Sequence, residues 1–148
     1  MTRRQFTLRS HQAELLDQYD PNEDTLFDQP TGSGKTLEIV TLVGMLRQPT
    51  NLLFRNILIA APQTHIEAGF LVDRDYNEVR WPDGRRQVEL PQEMIRVARD
   101  GPSGSIEEIH SYLAVPQDFA LVTTHTAFGM SNVPRDCSGM LLIIDEWK

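Results

Sequence analysis

The sequence predicts a doubly wound α/β domain built around a parallel sheet. Four short apolar runs lack the polar alternation of half-exposed strands, as expected of parallel strands that are covered on both faces. Helical patterns lie between these runs, and strands that alternate with helices are typical of this fold class. The four predicted strands are Thr25–Asp28, Asn56–Ala60, Phe119–Thr123 and Met140–Asp145.

The predicted helices follow from capping signals and apolar spacing. Ser10 precedes a helix over His11–Tyr19, and Lys35–Leu46 carries apolar residues at spacings of three. Two further segments have the capping-box form, in which a hydroxyl residue is followed three positions later by glutamate, so helices are expected to begin there. These segments are Thr64–Glu67 and Ser105–Glu108, and Gln92–Arg99 is predicted as one more helix.

A hairpin is predicted around Arg80–Arg85, because its centre has turn chemistry. Val79 lies on one side of the turn, and Val88 and Leu90 lie on the other. Trp81 is expected on a solvated hairpin tip, with stacking on a nucleic-acid base as the alternative.

Composition sets the class of protein. The chain has 148 residues, 40% of them hydrophobic and 24% charged, which is typical of one soluble globular domain. No apolar run approaches the ~20 residues of a membrane span. The net charge of −7 does not indicate nucleic-acid binding. A single cysteine, Cys137, cannot form an internal disulfide, so a reducing, cytoplasmic location is expected.

The segment QPTGSGKT, residues 29–36, has the chemistry of a loop that holds a triphosphate. Gly32 and Gly34 allow successive backbone N–H groups to converge on a phosphate without a Cβ in the way. Lys35 places an ammonium against the β- and γ-phosphate oxygens, and Thr36 offers a hydroxyl to Mg²⁺. The helix that begins here directs its positive end at the anion. The predicted nucleotide-binding residues of this loop are Thr31, Gly32, Ser33, Gly34, Lys35 and Thr36.

The segment LLIIDE, residues 141–146, is an apolar strand that ends in two acids. A parallel strand of this kind carries Asp145 to the carboxyl end of the sheet, where ligands collect. There Asp145 can hold the magnesium shell, while Glu146 can accept a proton from an attacking water. A strand that ends in a solvated acidic turn is the alternative.

The two segments resemble motif I and motif II (Walker B) of superfamily 2 helicases and translocases. Motif I of that family does not require glycine at the position of Gln29, and Pro-Thr-Gly-Ser-Gly-Lys-Thr is frequent there. Motif II commonly reads Asp-Glu-Ala-His or Asp-Glu-Ala-Asp, whereas this chain has Trp147 and Lys148 at the last two positions. The family's fourth residue helps link hydrolysis to strand movement, so Lys148 departs from the pattern that supports this coupling.

Three shorter segments resemble further elements of the family in the same order. Leu8–Gln12 is similar to the upstream element whose glutamine reads adenine, which implies this role for Gln12. Ile59–Thr64 is similar to motif Ia, which implies nucleic-acid contacts from Gln63 and Thr64. Leu121–His125 is similar to a later Thr-Thr element, which implies the same for Thr123 and Thr124. Strand-end capping, or a surface glutamine in the case of Gln12, is the competing interpretation of each.

The resemblance covers nearly the whole chain and implies the first RecA-like domain of a helicase, residues 1–148, ending at motif II. It implies a P-loop RecA-like parallel sheet with helices on both faces, incomplete after the Walker B strand. It further implies ATP and Mg²⁺ as cofactors and DNA more than RNA as substrate. The closest likeness is to the helicase portions of type I and type III restriction enzymes, which implies a second RecA-like domain, or nuclease or methyltransferase subunits, as partners.

Three functions therefore remain open from the sequence. The first is the motor segment of an ATP-hydrolysing DNA helicase or translocase, weak or inactive without the second domain that supplies an arginine finger. The second is a nucleotide-binding remnant or interaction module that performs no work. The third is a small-molecule kinase. Glu146 argues against a kinase, because a carboxylate beside Asp145 positions water and not an acceptor substrate.

Overall fold

The computed structural model describes residues 5–21, 23, 35–47, 54–62, 66, 77–90, 94–98, 102–132 and 139–145, without the side chains of 102–105. Several predicted features lie outside these residues. They are the strand Thr25–Asp28, the loop residues 29–34, the helix start at Thr64, and the segment 146–148.

The described residues form both strands and helices. The strands are β1 (Gln5–Thr7), β2 (Asn56–Ala61), β3 (Glu78–Arg80), β4 (Gln87–Glu89), β5 (Ile95–Val97), β6 (Ala120–Thr124) and β7 (Met140–Ile144). The helices are α1 (Ser10–Gln18), α2 (Lys35–Leu46), α3 (Pro102–Ala114) and α4 (His125–Met130). Among the described residues, no helix is both long and apolar enough to cross a lipid bilayer.

The central sheet has four strands in the order β5-β6-β2-β7, and all three pairings are parallel. Leu58 of β2 lies beside Leu121 of β6 on one side and Leu142 of β7 on the other. The predicted strands at 56–60, 119–123 and 140–145 are confirmed to within one residue. Their continuous apolar composition fits, since all six residues of β2 are buried.

Helices cover both faces of this sheet, and strand alternation divides the core accordingly. On one face, Ile57 and Ile59 of β2 and Val122 of β6 pack in the same cluster as α2. On the other face, Leu58 and Leu121 pack with residues of α3 and α4. The observed architecture is therefore the predicted mixed α/β class, with a parallel sheet flanked by helices.

A glycine in α2 permits close packing against β4. A Cβ on Gly44 would come within 2.5 Å of Leu90 Cδ2 and 3.0 Å of Val88 Cγ1. Real Cβ atoms do not approach so closely, so a larger residue would push the β4 side chains away.

β1, β3 and β4 form a second, three-stranded sheet. The predicted hairpin is confirmed, because β3 and β4 pair antiparallel with Val79 opposite Val88. Its turn contains Gly84 at φ +73°, a conformation that glycine adopts without strain. β1 pairs parallel with β3, and Gln5 Nε2 donates to Glu78 Oε2 at 2.7 Å.

Trp81 is buried and does not form a solvated tip or a stacking platform, as only 1% of it is exposed. Its indole Nε1 donates to Asp17 Oδ1 of α1 at 3.0 Å. The Arg85 guanidinium pairs with the same carboxylate, and Arg86 lies over the indole ring at 5.1 Å. Asp17 therefore joins the hairpin to α1.

One helix prediction is wrong, and another helix begins earlier than expected. Residues 95–97, within the predicted helix Gln92–Arg99, form strand β5, in which Ile95 pairs with Ala120 and Val97 with Val122. The β-branched Ile95 and Val97 favour a strand once a partner edge is present. The helix expected to start at Ser105 begins instead at Pro102. Proline is tolerated in a first helical turn, because its missing N–H would have no helical partner.

Candidate functional site

The carboxyl ends of the parallel strands define one edge of the central sheet, called the carboxyl edge below. Ala61 ends β2, Thr124 ends β6 and Ile144 ends β7, and Ala61 is the register partner of Thr124. Asp145 follows β7 directly at this edge. Its backbone N–H donates to Ala60 O at 2.8 Å, which continues the sheet pairing by one residue. The Asp145 side chain is buried, with 3% exposed.

The alternation of side chains along β7 indicates on which face of the sheet Asp145 lies. Leu141 and Ile143 pack against the cluster that contains α2, whereas Met140 and Leu142 pack against the opposite cluster. Side chains two residues apart in a strand share a face. Asp145 is two residues beyond Ile143, so it lies on the side of the sheet that α2 covers.

The direction of α2 places Lys35 toward the same edge. Arg47, immediately after α2, donates from Nη1 to Phe54 O at 2.5 Å, so the end of the helix lies beside the start of β2. α2 is ~18 Å long and β2 ~20 Å, and both contribute to one core cluster. Because α2 ends beside the amino end of β2 and runs along the sheet, its first residue lies toward the carboxyl edge. Lys35 and Thr36 there are partly exposed.

Gln12 is not a surface residue of an amphipathic helix. Its side chain is 1% exposed, and its Oε1 accepts a hydrogen bond from Arg9 N–H at 2.8 Å. This contact is the returning half of a capping box and holds the first turn of α1. The amide therefore has a structural role in addition to the adenine contact that the resemblance implies.

The two threonines predicted to touch nucleic acid direct their hydroxyls into the fold. Thr123 is 2% exposed, and in the described part of the chain its Oγ1 has no hydrogen-bond partner. Thr124 is the N-cap of α4, and its Oγ1 accepts from Ala127 N–H at 3.1 Å. Thr126, which follows them, is exposed.

His125 contacts the candidate site, although sequence reasoning gave it no role. Its Nε2 lies 2.7 Å from the backbone oxygen of Asp145. The contact crosses β2, because His125 follows β6 and Asp145 follows β7. Its position directly after Thr123 and Thr124, at the end of a predicted buried strand, is the signal that could have identified it.

The structure thus brings Asp145, Thr123, Thr124 and His125 to the carboxyl edge, with α2 starting toward it at Lys35. Gln12 lies on α1, which shares the core cluster of α2 through Ala13 and Leu16. The remaining predicted residues lie outside the described part of the chain. They are Thr31, Gly32, Ser33, Gly34, Gln63, Thr64 and Glu146.

Comparisons with protein-family models, with curated proteins and with solved structures return no match for this chain.

Proposed function

We propose that the chain is the ATP-binding and ATP-hydrolysing motor segment of a DNA helicase or translocase. The observation that carries the proposal is the placement of Asp145. It lies at the carboxyl edge of the central sheet, on the side that α2 covers, and α2 begins at Lys35. An acid at the end of a buried parallel strand and a lysine at the start of a helix on the same face are the parts that bind a metal-bound triphosphate.

The order of the strands gives further support. β7, which ends in the acid, lies next to β2, and β2 lies next to β6. The strands β7, β2 and β6, which belong to the segments that resemble motif II, motif Ia and the Thr-Thr element, therefore end side by side. In an open parallel sheet the ligand occupies the crevice outside these strand ends. Nucleotide and nucleic acid would then meet at neighbouring positions of one edge.

Mg²⁺ and ATP fit the residues present. Mg²⁺ bound with a nucleotide takes one or two protein ligands and completes its shell with phosphate oxygens and water. Asp145 and Thr36 would supply the protein ligands, and Lys35 would neutralise the phosphates. The metal would stabilise charge on the transferred phosphoryl group, while Glu146 would accept the proton of the attacking water.

The wider setting is part of the same proposal. DNA is the polymer that the resemblance favours, and a second RecA-like domain would provide the arginine that accelerates hydrolysis. Nuclease or methyltransferase subunits would be the partners if the chain acts as restriction enzymes do. A cytoplasmic location agrees with the single cysteine, which has no internal disulfide partner.

The proposal is tested by measuring ATP binding and hydrolysis with and without single-stranded DNA. We expect Lys35→Ala to weaken ATP binding, because it removes the ammonium that faces the phosphates. Glu146→Gln should retain ATP binding and lower turnover about a hundredfold or more, because the amide cannot accept a proton. Asp118→Asn, on an exposed segment before β6, is the matched control and should behave as the wild-type chain does.

Two results would contradict the motor assignment. ATP binding that is equal in the wild-type chain and Lys35→Ala would remove the triphosphate site. ATP binding without turnover, unchanged by DNA and by Glu146→Gln, would identify a nucleotide-binding module that performs no work.

A further inference from the structure

We infer that His125 is a positioning residue that fixes the backbone of Asp145 at the end of β7. The inference rests on the proposed function, in which Asp145 and Glu146 would hold Mg²⁺ and activate water. It starts from the contact between His125 Nε2 and the Asp145 carbonyl oxygen, at 2.7 Å.

The Asp145 backbone is held from two different elements. Its N–H donates to Ala60 O of β2 at 2.8 Å, as a continuation of the sheet. Its carbonyl oxygen lies 2.7 Å from Nε2 of His125, which begins α4. Contacts at both the N–H and the carbonyl therefore restrict the backbone of Asp145.

The chemistry of the contact is one-directional. A carbonyl oxygen can only accept, so Nε2 of His125 must carry the proton and donate. The backbone that carries the imidazole is held in place, because Thr124 caps the same helix by accepting a hydrogen bond from Ala127 N–H at 3.1 Å. Ala127 is buried in the core cluster that α3 and α4 form with the sheet. The donor therefore projects from a fixed helix start toward the end of β7.

Positioning of this kind matters for catalysis more than for binding. The two acids act on a water and a metal whose placement tolerates little error, and a misplacement of about 1 Å can cost a hundredfold in rate. ATP would still be held mainly by the phosphate loop. Loss of the His125 contact should therefore reduce kcat and leave KM for ATP nearly unchanged.

A second histidine of the same chain provides a matched control. His110 Nε2 lies 2.6 Å from Ser131 O, so it too contacts a backbone carbonyl, but at the far end of α4. His125→Phe and His110→Phe each remove one such contact beside the same helix. Only the first of these contacts involves Asp145. A merely structural role would make the two substitutions equivalent.

The experiment compares His125→Phe, His125→Gln and His110→Phe with the wild-type chain. Steady-state kinetics give kcat and KM for ATP, and amide hydrogen exchange is followed over residues 141–146. For His125→Phe we expect kcat to fall by about tenfold to a hundredfold and exchange at the end of β7 to rise by about fivefold. His125→Gln should restore most of both, because its amide reaches the carbonyl and donates. His110→Phe should change neither.

Equal kcat and equal exchange in His125→Phe and His110→Phe would overturn the inference, as would a glutamine variant no better than phenylalanine. If His125→Phe does not fold, His125→Asn replaces it, because the shorter amide cannot reach the carbonyl. If the wild-type chain does not bind ATP, the proposed function and the positioning role of His125 in hydrolysis both fail. Hydrogen exchange then still decides whether His125 holds the end of β7.

Discussion

Two buried polar side chains of the central sheet, Asn56 at the amino end and Thr123 at the carboxyl end, differ in how completely their hydrogen bonds are satisfied. At the amino end, the buried Asn56 donates from Nδ2 to Tyr112 O at 3.0 Å and to Val115 O at 3.1 Å, and its Oδ1 accepts from Arg55 Nε at 3.0 Å. At the carboxyl end, the buried Oγ1 of Thr123 has no partner among the described residues. The side chain of Asn56 therefore helps to hold the fold together, whereas the described contacts leave the hydroxyl of Thr123 unused.

Tyr112 is the centre of the network at the amino end. Its hydroxyl oxygen accepts from Ile57 N–H at 3.0 Å, and it can donate to Ile57 O at 3.0 Å or to Phe119 O at 2.5 Å. One side chain of α3 thus joins β2 to the start of β6. Burial raises the pKa of the Tyr112 phenol above its usual value, against smaller opposing contributions from its hydrogen bonds.

The largest expected effect is the loss of ATP hydrolysis, without loss of stability, when Asp145 at the carboxyl end is substituted. Asp145→Asn removes the charge that would hold Mg²⁺, so ATP hydrolysis should fall by about a hundredfold to a thousandfold. The free energy of unfolding should stay the same or increase, because functional groups often cost stability. Urea unfolding and ATPase rates, measured on the same preparation, check this. A loss of stability that accompanies the loss of activity would make Asp145 a structural residue instead.

A smaller effect of opposite character is expected at the amino end. Tyr112→Phe removes a hydroxyl that serves buried backbone groups of β2 and β6, which should lower the free energy of unfolding by about 2 kcal/mol. ATP affinity of the folded protein should not change. Denaturant unfolding and nucleotide titration are the measurements. Unchanged stability would show that the network at this end contributes little.

The effect of Tyr112→Phe on the free energy of unfolding should depend on pH. The pKa of Tyr112 is raised in the folded state, so its contribution to stability is complete below the unfolded value of about 10 and is lost as pH rises through the folded pKa. As pH rises above ~10, the stability difference between wild type and Tyr112→Phe should therefore shrink.

The smallest effect is expected at Thr123. Thr123→Val replaces a buried hydroxyl without a described partner by a methyl group of similar shape, and should raise the free energy of unfolding by about 1 kcal/mol. This is the opposite sign to Tyr112→Phe, although both substitutions remove one buried hydroxyl. Thermal unfolding of the two variants side by side checks the contrast. A destabilised valine variant would mean that the hydroxyl is already satisfied.

The sequence predicted those parts of the fold whose local pattern and tertiary environment agree. β2, β6 and β7 are continuous apolar runs, and buried parallel strands need that composition. β5 was read as a helix, because its three residues form a strand only when β6 provides an edge. β1 has only one partly buried residue between two exposed ones, so no apolar run marked it.

The candidate site also contains some features that the sequence predicts and others that it does not. Asp145 was predictable because an apolar strand leads directly to it. A residue that follows a buried parallel strand lies at the carboxyl edge of the sheet. The contact from His125 was not predictable, because it joins the ends of two strands that are separated in the sheet by β2. The buried state of Gln12 also required the structure, since its capping contact and its packing come from different parts of the fold.

The pairing of β1 with β3 has a consequence for biosynthesis. Gln5 and Glu78 are bonded across 73 positions of sequence, so a ribosome adding ~5–20 residues per second exposes the first strand roughly 4 to 15 s before its partner exists. During that interval α1 also lacks Trp81 and Arg85, which anchor it through Asp17. The amino-terminal segment should therefore settle only after residues 78–86 have been made, and it should be accessible to chaperones until then.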